Sequence, residues 1–398
     1  MEEIIFHYNG KQIKIQCDKK QKIDEICNKF SNQINMNINS LIFNHEGNKL
    51  NLNKTINEIF HGHKIHIFVY EINGRNEINC IYDKNEEEIN LLHDYSFELV
   101  GFCYNDIDFY NEGKNNINEK NIEIYINDKK VTFCYNYKSE EKGEIKVKFK
   151  FKKLITSTHD MFNFCSSLKS IDFSYFNSSQ IEDIGFMFCG CSSLKSIDLS
   201  PLDTSKVTNM NGLFYKCTSL ESINLSSFNT SNVINMNNMF GNCKSLKSID
   251  LSTFNTKNVN DMGFMFYDCS SLKSIDLAPL DTSNVTNMNG LFLKCTSLES
   301  INVSSFNTSN VINMNNMFGY CKSLKSIDLS SFNTKSVNNM GLMFIKCKSL
   351  ISIDLSSFDI SYCCEIGRIF SDCSALSKDN IKIKNSSKRI LNEFKKIK

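Results

Sequence analysis

Nine cysteines keep one fixed step along this chain. Cys165, Cys191, Cys217, Cys243, Cys269, Cys295, Cys321, Cys347 and Cys373 are each 26 residues apart, and a phenylalanine stands three positions before every one, from Phe162 to Phe370. The unit reads L-x-S-I-x-L-S-x-F-x-T-x-x-V-x-x-M-x-x-M-F-x-x-C-x-S, as in Leu246 to Ser271. A longer period lies over it. Residues 201–278 and 279–356 differ at 13 of 78 positions, which marks a three-unit duplication whose copies open at the only two prolines, Pro201 and Pro279. A unit this short cannot bury its own apolar residues, whereas stacked copies bury a continuous core. The spacing therefore predicts a solenoid of about nine coils, a rod on the order of 40 Å long. In each coil the I-x-L pair alternates like a strand: Ile249 and Leu251 point inward, Ser248 and Asp250 outward. Strands of successive coils are expected to pair in parallel at roughly 4.8 Å. Phe254, Val259, Met262, Met265 and Phe266 fill each coil from its other sides.

Composition narrows the function classes. Forty-five basic residues against 44 acidic ones leave a net charge of +1, without the basic surplus that phosphate contacts require, so no nucleic acid is expected. A hydrophobic content of 41% permits folding, and no apolar run is long enough for a transmembrane segment. The opening MEEIIFHYNG does not read as a secretory signal.

The stretch Phe306-Asn307-Thr308-Ser309-Asn310-Val311 through Met317-Phe318, Cys321 and Leu324 resembles the BspA-like leucine-rich repeats, in particular the subtype carrying FNTSNVTNMxxMFxxCxSL. The likeness covers roughly residues 154–376. It implies adhesion and protein binding, with no shared catalytic activity. Residues 1–72 read as a separate small domain. Two alternating segments around Ile5 and Ile13–Ile15 flank Asn9-Gly10, the strongest short hairpin signal. A helix follows through Ile23, Ile26, Cys27, Phe30 and Ile34, then a strand Leu41-Ile42-Phe43, a turn at Gly47, a short segment at Thr55–Ile59 and a last strand through Ile65, Ile67 and Val69. This order resembles the ubiquitin-like β-grasp fold. The resemblance implies a partner-binding patch at Ile42, His66 and Phe68. The hairpin leucine of that patch has no counterpart here, and there is no terminal Gly-Gly for conjugation.

Residues 73–141 form a β-rich connector with a hairpin expected between Ile122–Ile126 and Val131–Tyr137. The alternating stretch from Ile145 lies one 26-residue step before Ile171, so it reads as the first coil of a repeat region spanning 142–377, its lysines discouraging a second molecule from pairing with the open end. Residues 378–398 read as a basic terminal cap helix with Ile390, Leu391, Phe394 and Ile397 on one stripe. A helix for a membrane surface or a calmodulin-like partner is the other reading. The fold class expected is thus mainly β, a solenoid behind a β-grasp domain and a connector.

Catalytic and metal chemistry are not found. No nucleophile elbow, phosphate loop or metalloprotease motif occurs, so the chain reads as no enzyme, with no cofactor. All seven histidines precede the first repeat cysteine, which disfavours zinc; His61-Gly-His63 with His66 reads as exposed strand residues or an adventitious metal site. Stacked cysteines stand roughly 5 Å apart, a separation that permits a disulfide, but an odd ladder cannot pair completely, and reduced thiols are expected. Cys189-Gly-Cys191 and Cys363-Cys364 lack partner clusters.

What remains is a patterned surface. An outward column runs Asp172, Asp198, Asn224, Asp250, Asp276, Asn302, Asp328 and Asp354, beside Lys169, Lys195, Glu221, Lys247, Lys273, Glu299, Lys325 and Ile351. Asn and Glu fall in the same coils, relieving like-charge repulsion in both columns at once; structural compensation is one reading. The other is a binding face at Asp198, Asn224, Asp250, Asp276, Asn302 and Asp328 for protein or glycan. The expected function is a monomeric, cytoplasmic interaction scaffold or adaptor that uses this face and the N-terminal patch. The alternative is a protist cell-surface adhesin or antigen, exported unconventionally, that binds host proteins or glycans.

Overall fold

The computed structural model describes residues 2–45, 48–50, 52, 54–59, 65–71, 75–84, 88–93, 117–138, 142–363, 365–384, 389–390 and 392. His61, His63, Gly47 and Cys364 lie outside the described residues, as does most of the expected cap helix beyond 385; of its stripe only Ile390 is described, and it is buried.

Asn9 and Gly10 take φ of 48° and 71°, the pair of left-handed residues that a two-residue hairpin loop needs. They join β1 (Glu2–Tyr8) to β2 (Lys11–Cys17). After α1 (Ile23–Gln33) come β3 (Leu41–His45), β4 (Asn48–Lys49), the single turn α2 (Ile56–Ile59) and β5 (Ile65–Glu71). The sheet runs β2-β1-β5-β3-β4, with β1 and β5 parallel. Helix α1 buries Ile23, Ile26, Cys27 and Phe30 against one face of that sheet. There the Phe30 ring stacks on Phe6 at 4.5 Å. The opposite face carries Ile5, His7, Ile42, His66, Phe68 and Tyr70, because strand side chains alternate.

Connector and repeats share one hydrophobic core, continuous from Ile78 to Ile390. The connector contributes β6 (Glu77–Lys84), β7 (Glu88–Asn90), β8 (Ile122–Ile126), β9 (Lys129–Val131), β10 (Asn136–Lys138) and β11 (Gly143–Phe151), and the first repeat contributes β12 (Leu168–Tyr175). The turn between β8 and β9 falls at Asn127-Asp128, both with positive φ. Its second strand ends at Val131, and Asn136–Lys138 leaves to pair with β7. Strand order is β12-β6-β11-β8-β9. Here the structure departs from the expected first coil. Residues from Ile145 do not pair in parallel with the next coil; β6 enters between β11 and β12 and runs antiparallel to both. The lysines of β11 therefore line an inner strand, and the sheet edge is the three-residue β9 with Lys129 and Lys130, a short charged edge of the kind that blocks further pairing.

From Ser157 to Glu365, residues 26 apart bridge in parallel in one unbroken series: Ser157, Asp183, Asn209, Asn235, Asp261, Asn287, Asn313, Asn339, Glu365. This continuous ladder lies on the V-x-x-M side of each turn and not, as expected, on the I-x-L side. In one step Met236 N–H donates to Asp261 O, Asn238 N–H to Gly263 O and Phe240 N–H to Met265 O, at 2.9 to 3.0 Å, and Asn242 N–H donates to Tyr267 O. On the I-x-L side, regular pairing is confined among the described repeats to β12 at one end and β13 (Ile353–Leu355) with β14 (Ile381–Ile383) at the other, plus one bridge from Asp198 to Asn224. The N–H two residues after each Asp or Asn of that column is taken by the column side chain, as Ser252 N–H is by Asp250 Oδ1, an arrangement that the bridge column on the other side shares at Gly263 N–H and Asp261 Oδ1.

Inside the turns the phenylalanines form a stack from Phe162 to Phe370; for Phe266 and Phe292 the ring centroids are 5.5 Å apart and the planes 3° off parallel. Each following cysteine points its thiol at the phenylalanine carbonyl 29 residues earlier, as Cys243 Sγ does to Phe214 O at 3.1 Å. No disulfide joins any two of the fifteen described cysteines. Thr230 illustrates the third fixed position: its hydroxyl donates to Asn255 O at 3.0 Å and accepts from Asn255 N–H at 2.8 Å.

Candidate interaction site

The column side chains at Asp198, Asn224, Asp250, Asp276, Asn302 and Asp328 are all exposed. Each spends one oxygen locally. Asp198 Oδ1 accepts from Ser200 N–H at 2.9 Å, Asn224 Oδ1 from Ser226 N–H at 3.0 Å, and Asp276 Oδ1 from Ala278 N–H at 3.0 Å; Asp250, Asn302 and Asp328 do the same two residues on. Asp and Asn both supply that oxygen, which is why the two alternate freely. The Ser330 N–H holds the Asp328 carboxyl below the usual carboxylate range. In the neighbouring column Lys247 reaches Glu221 at 2.8 Å, a direct form of the charge compensation read from sequence.

A second polar column explains the three-unit period. Asp261 Oδ1 accepts three donors: Gly263 N–H at 2.8 Å, Asn237 Nδ2 at 3.0 Å from the preceding turn and Asn287 Nδ2 at 3.0 Å from the following one. Asp183 is held in the same way by Gly185 N–H, His159 Nδ1 and Asn209 Nδ2. The glycine two residues after each aspartate leaves room for the donors: a Cβ on Gly263 would stand 2.8 Å from Asn287 Nδ2 and 2.9 Å from Asn237 Nδ2. His159 thus fills the place that Asn237 fills 78 residues later. Burial opposes its charge, but the bonds to Asp160 and Asp183 outweigh this and raise its pKa to about 10.

The N-terminal sheet is seated on the repeats, with its predicted patch facing turns that lie beside the polar column. His66 and Phe68 line a cleft of about 480 Å³ together with His45, and across it lie Asp203, Ser226, Phe228, Asn229 and Ser252. Ser226 and Ser252 are the residues two positions past Asn224 and Asp250. Phe68 is 5% exposed, and Ile5 and His7 are equally buried although they lie on the face away from α1. Ile42 is half-buried and pairs with Tyr70. None of Asp198, Asn224, Asp250, Asp276, Asn302 and Asp328 is among the residues lining the cleft.

The contact depends on residues that sequence reasoning missed. His7, level with Phe68 across β1 and β5, stacks on that ring at 4.6 Å. Its Nε2 lies 2.7 Å from His66 Nδ1, and the backbone of Ser200 hydrogen bonds the ring. The half-buried Tyr70 sets its buried hydroxyl beside Ser178 and Asp203, and burial raises the phenol pKa. Period-two alternation from His66 and Phe68 was the available signal for Tyr70, and the parallel neighbour strand for His7.

Among the described residues no group of three or more His, Cys, Asp or Glu could hold a metal ion, and no helix is long and apolar enough to cross a membrane.

No curated relative matches the chain. Among solved structures, one match is a chain described as "Crystal Structure of pParkin-pUb-UbcH7 complex". It is 11% identical, with a TM-score of 0.17, over 27% of this chain and 36% of that one. The present chain therefore spans about a third of that structure's chain. Residues 156–275 and again 269–384 match a family described as "Mycoplasma protein of unknown function, DUF285". The two matches together take in more than half of the chain and cover every turn from the Asp183 bridge to the last cysteine, so the chain belongs to the DUF285 family.

Proposed function

We propose that the protein is a non-enzymatic interaction adaptor: a leucine-rich-repeat solenoid of BspA-like type whose polar face works together with a ubiquitin-like N-terminal module. One observation carries this reading. The N-terminal patch at His66 and Phe68 and the turns after Asn224 and Asp250 border a single cleft, so a partner held by one surface is within reach of the other. The strand order β2-β1-β5-β3-β4 with α1 on one face supports the ubiquitin-like assignment, and the 26-residue bridge series supports the solenoid. The repetition of side chains argues against catalysis, which depends on one specially placed group. Partners are proteins or glycans that follow an extended polar face.

The structure dictates how to test this. Asp→Asn changes at Asp198, Asp250, Asp276 and Asp328 keep the turn-forming oxygen and remove only charge. Proximity labelling in the native cell with the intact chain, this quadruple variant and a chain lacking residues 1–72 should give neighbour sets that shrink in both variants. Identical sets from all three would end the adaptor reading.

A further inference from the structure

The expected partner patch is partly covered by the chain's own repeats: Phe68 is buried, and Ile42 and His66 are half-buried. We propose that the repeat surface over residues 200–229 is a docking surface whose occupant is the chain's own N-terminal sheet, and that the His7–His66 pair makes this closure reversible by acid. The inference rests on the adaptor reading only for its use; the closure itself stands on contacts in this chain.

The geometry of the pair sets the chemistry. Two imidazole nitrogens 2.7 Å apart share one proton: one ring donates and the other accepts. Protonating both rings removes the acceptor and sets two cations against each other, one of them on the buried His7 ring. His7 is 5% exposed and sandwiched between Phe68 and the Ser200 backbone, so it cannot move away without parting the sheet from the repeats.

The other titratable groups facing the pair do not reverse this. On β3, His45 Nδ1 bonds His66 O at 2.8 Å and carries no negative charge. On β5, the Tyr70 phenol stays neutral because burial raises its pKa. Tyr8 and Glu71 bond each other at the far end of β1 and β5. From the repeats, Asp203 is the single carboxylate lining the cleft, and its Oδ1 accepts from Ser205 N–H and Oγ. One carboxylate balances one imidazolium, not two.

Burial, then the His66 charge, depresses the His7 pKa from 6.5 to about 3. A group whose closed-state pKa is lowered this way stays neutral in the closed form and takes up a proton on opening. Closure is therefore full above about pH 6.5 and weakens as pH falls toward 3. One proton taken up per opening gives a rise in the opening equilibrium of roughly 25-fold between pH 7 and pH 5.

The sequence contains no tryptophan, so Phe68→Trp places a single reporter in the contact. Its emission is followed in the full-length chain against urea at pH 7 and pH 5, with circular dichroism reporting the repeats. The expected result is a red shift at lower urea than repeat unfolding, with the opening equilibrium rising roughly 25-fold at pH 5 and the rise abolished by His7→Phe. Small-angle scattering of the unsubstituted chain at the two pH values, expected to show a larger maximum dimension at pH 5, keeps the test valid if the reporter variant fails to fold. A rise below threefold, a rise that survives His7→Phe, an emission change coincident with repeat unfolding at both pH values, or unchanged scattering each overturns the proposal. Opening with acid and no captured partner sinks the adaptor reading alone; a captured partner with no acid opening sinks this proposal alone.

Discussion

Replacing Gly263 by alanine tests how tightly the turns are locked. Its φ lies outside the left-handed region, so the backbone accepts alanine, and the smaller unfolded-state entropy alone would stabilise the chain by about 0.4–1 kcal/mol. The structure predicts the opposite sign. The new methyl carbon would stand 2.8 and 2.9 Å from two amide nitrogens, both of them held by bonds to the Asp261 carboxylate. To make room, Asn237 and Asn287 must give up those bonds, each worth about 1.5–3 kcal/mol when the acceptor is charged. With the entropic gain set against this and some relaxation allowed, the expected net loss is about 2–4 kcal/mol. It would be read as a lower guanidinium midpoint for the repeat transition by circular dichroism. A double-mutant cycle isolates the cause: Asn237→Ala empties one of the two contested places, so Asn237→Ala with Gly263→Ala should be less damaging than the sum of the two by about 1–2 kcal/mol. A neutral or stabilising Gly263→Ala, or additive effects within about 0.5 kcal/mol, would refute the idea that the missing side chain is what admits the cross-turn donors.

Three further outcomes are expected. His159→Asn keeps a donor to Asp183 but loses the charge. Because the His159 pKa is raised to about 10, its stabilisation is complete below pH 6.5 and disappears as pH rises through 10. The advantage of the unsubstituted chain over the variant in chemical denaturation should therefore shrink by at most about 1.4 kcal/mol per pH unit above neutrality. Phe266→Ala opens a gap in the ring stack and should cost about 3–5 kcal/mol by the same measurement, with hydrogen exchange rising first in the adjoining turns. The buried cysteines, whose thiol pKa burial raises to about 12 at Cys295 and Cys373, should resist a thiol reagent at pH 8 until the chain is unfolded; rapid labelling of Cys295 in the native protein would contradict the burial.

Much of this was legible because it repeats. Nine copies of Phe and Cys at one interval admit one arrangement, and Asn9-Gly10 carries its own backbone conformation. The readings that failed concern hydrogen bonds that residue type alone does not direct. Asp250 points outward as read, and its Oδ1 is in addition a turn acceptor; the continuous bridge series runs on the other side of each turn. The alternation of glycine with asparagine at 185, 211, 237 and 263 was in plain view, but its reason lies in a side chain from the turn before. Strand β6 interrupts the expected stacking from about 90 residues upstream, and His7 meets Ser200 across almost half of the chain; neither contact has a local sequence signature. Sequence placed His66 and Phe68 on an accessible patch because no pattern announces that the same chain will cover it.

The reversal of β6 against β12 has a consequence for the molecule as an object. A series of near-identical turns is a lattice one molecule wide, and nothing in an inner turn distinguishes a neighbour from the same polypeptide from one on another. Such a lattice would go on adding layers from other chains wherever it ended on a parallel rung. Here the I-x-L strand of the first repeat, β12, is met by a strand of opposite direction, which does not tile with a repeat, so no further layer can add to that edge of the turn.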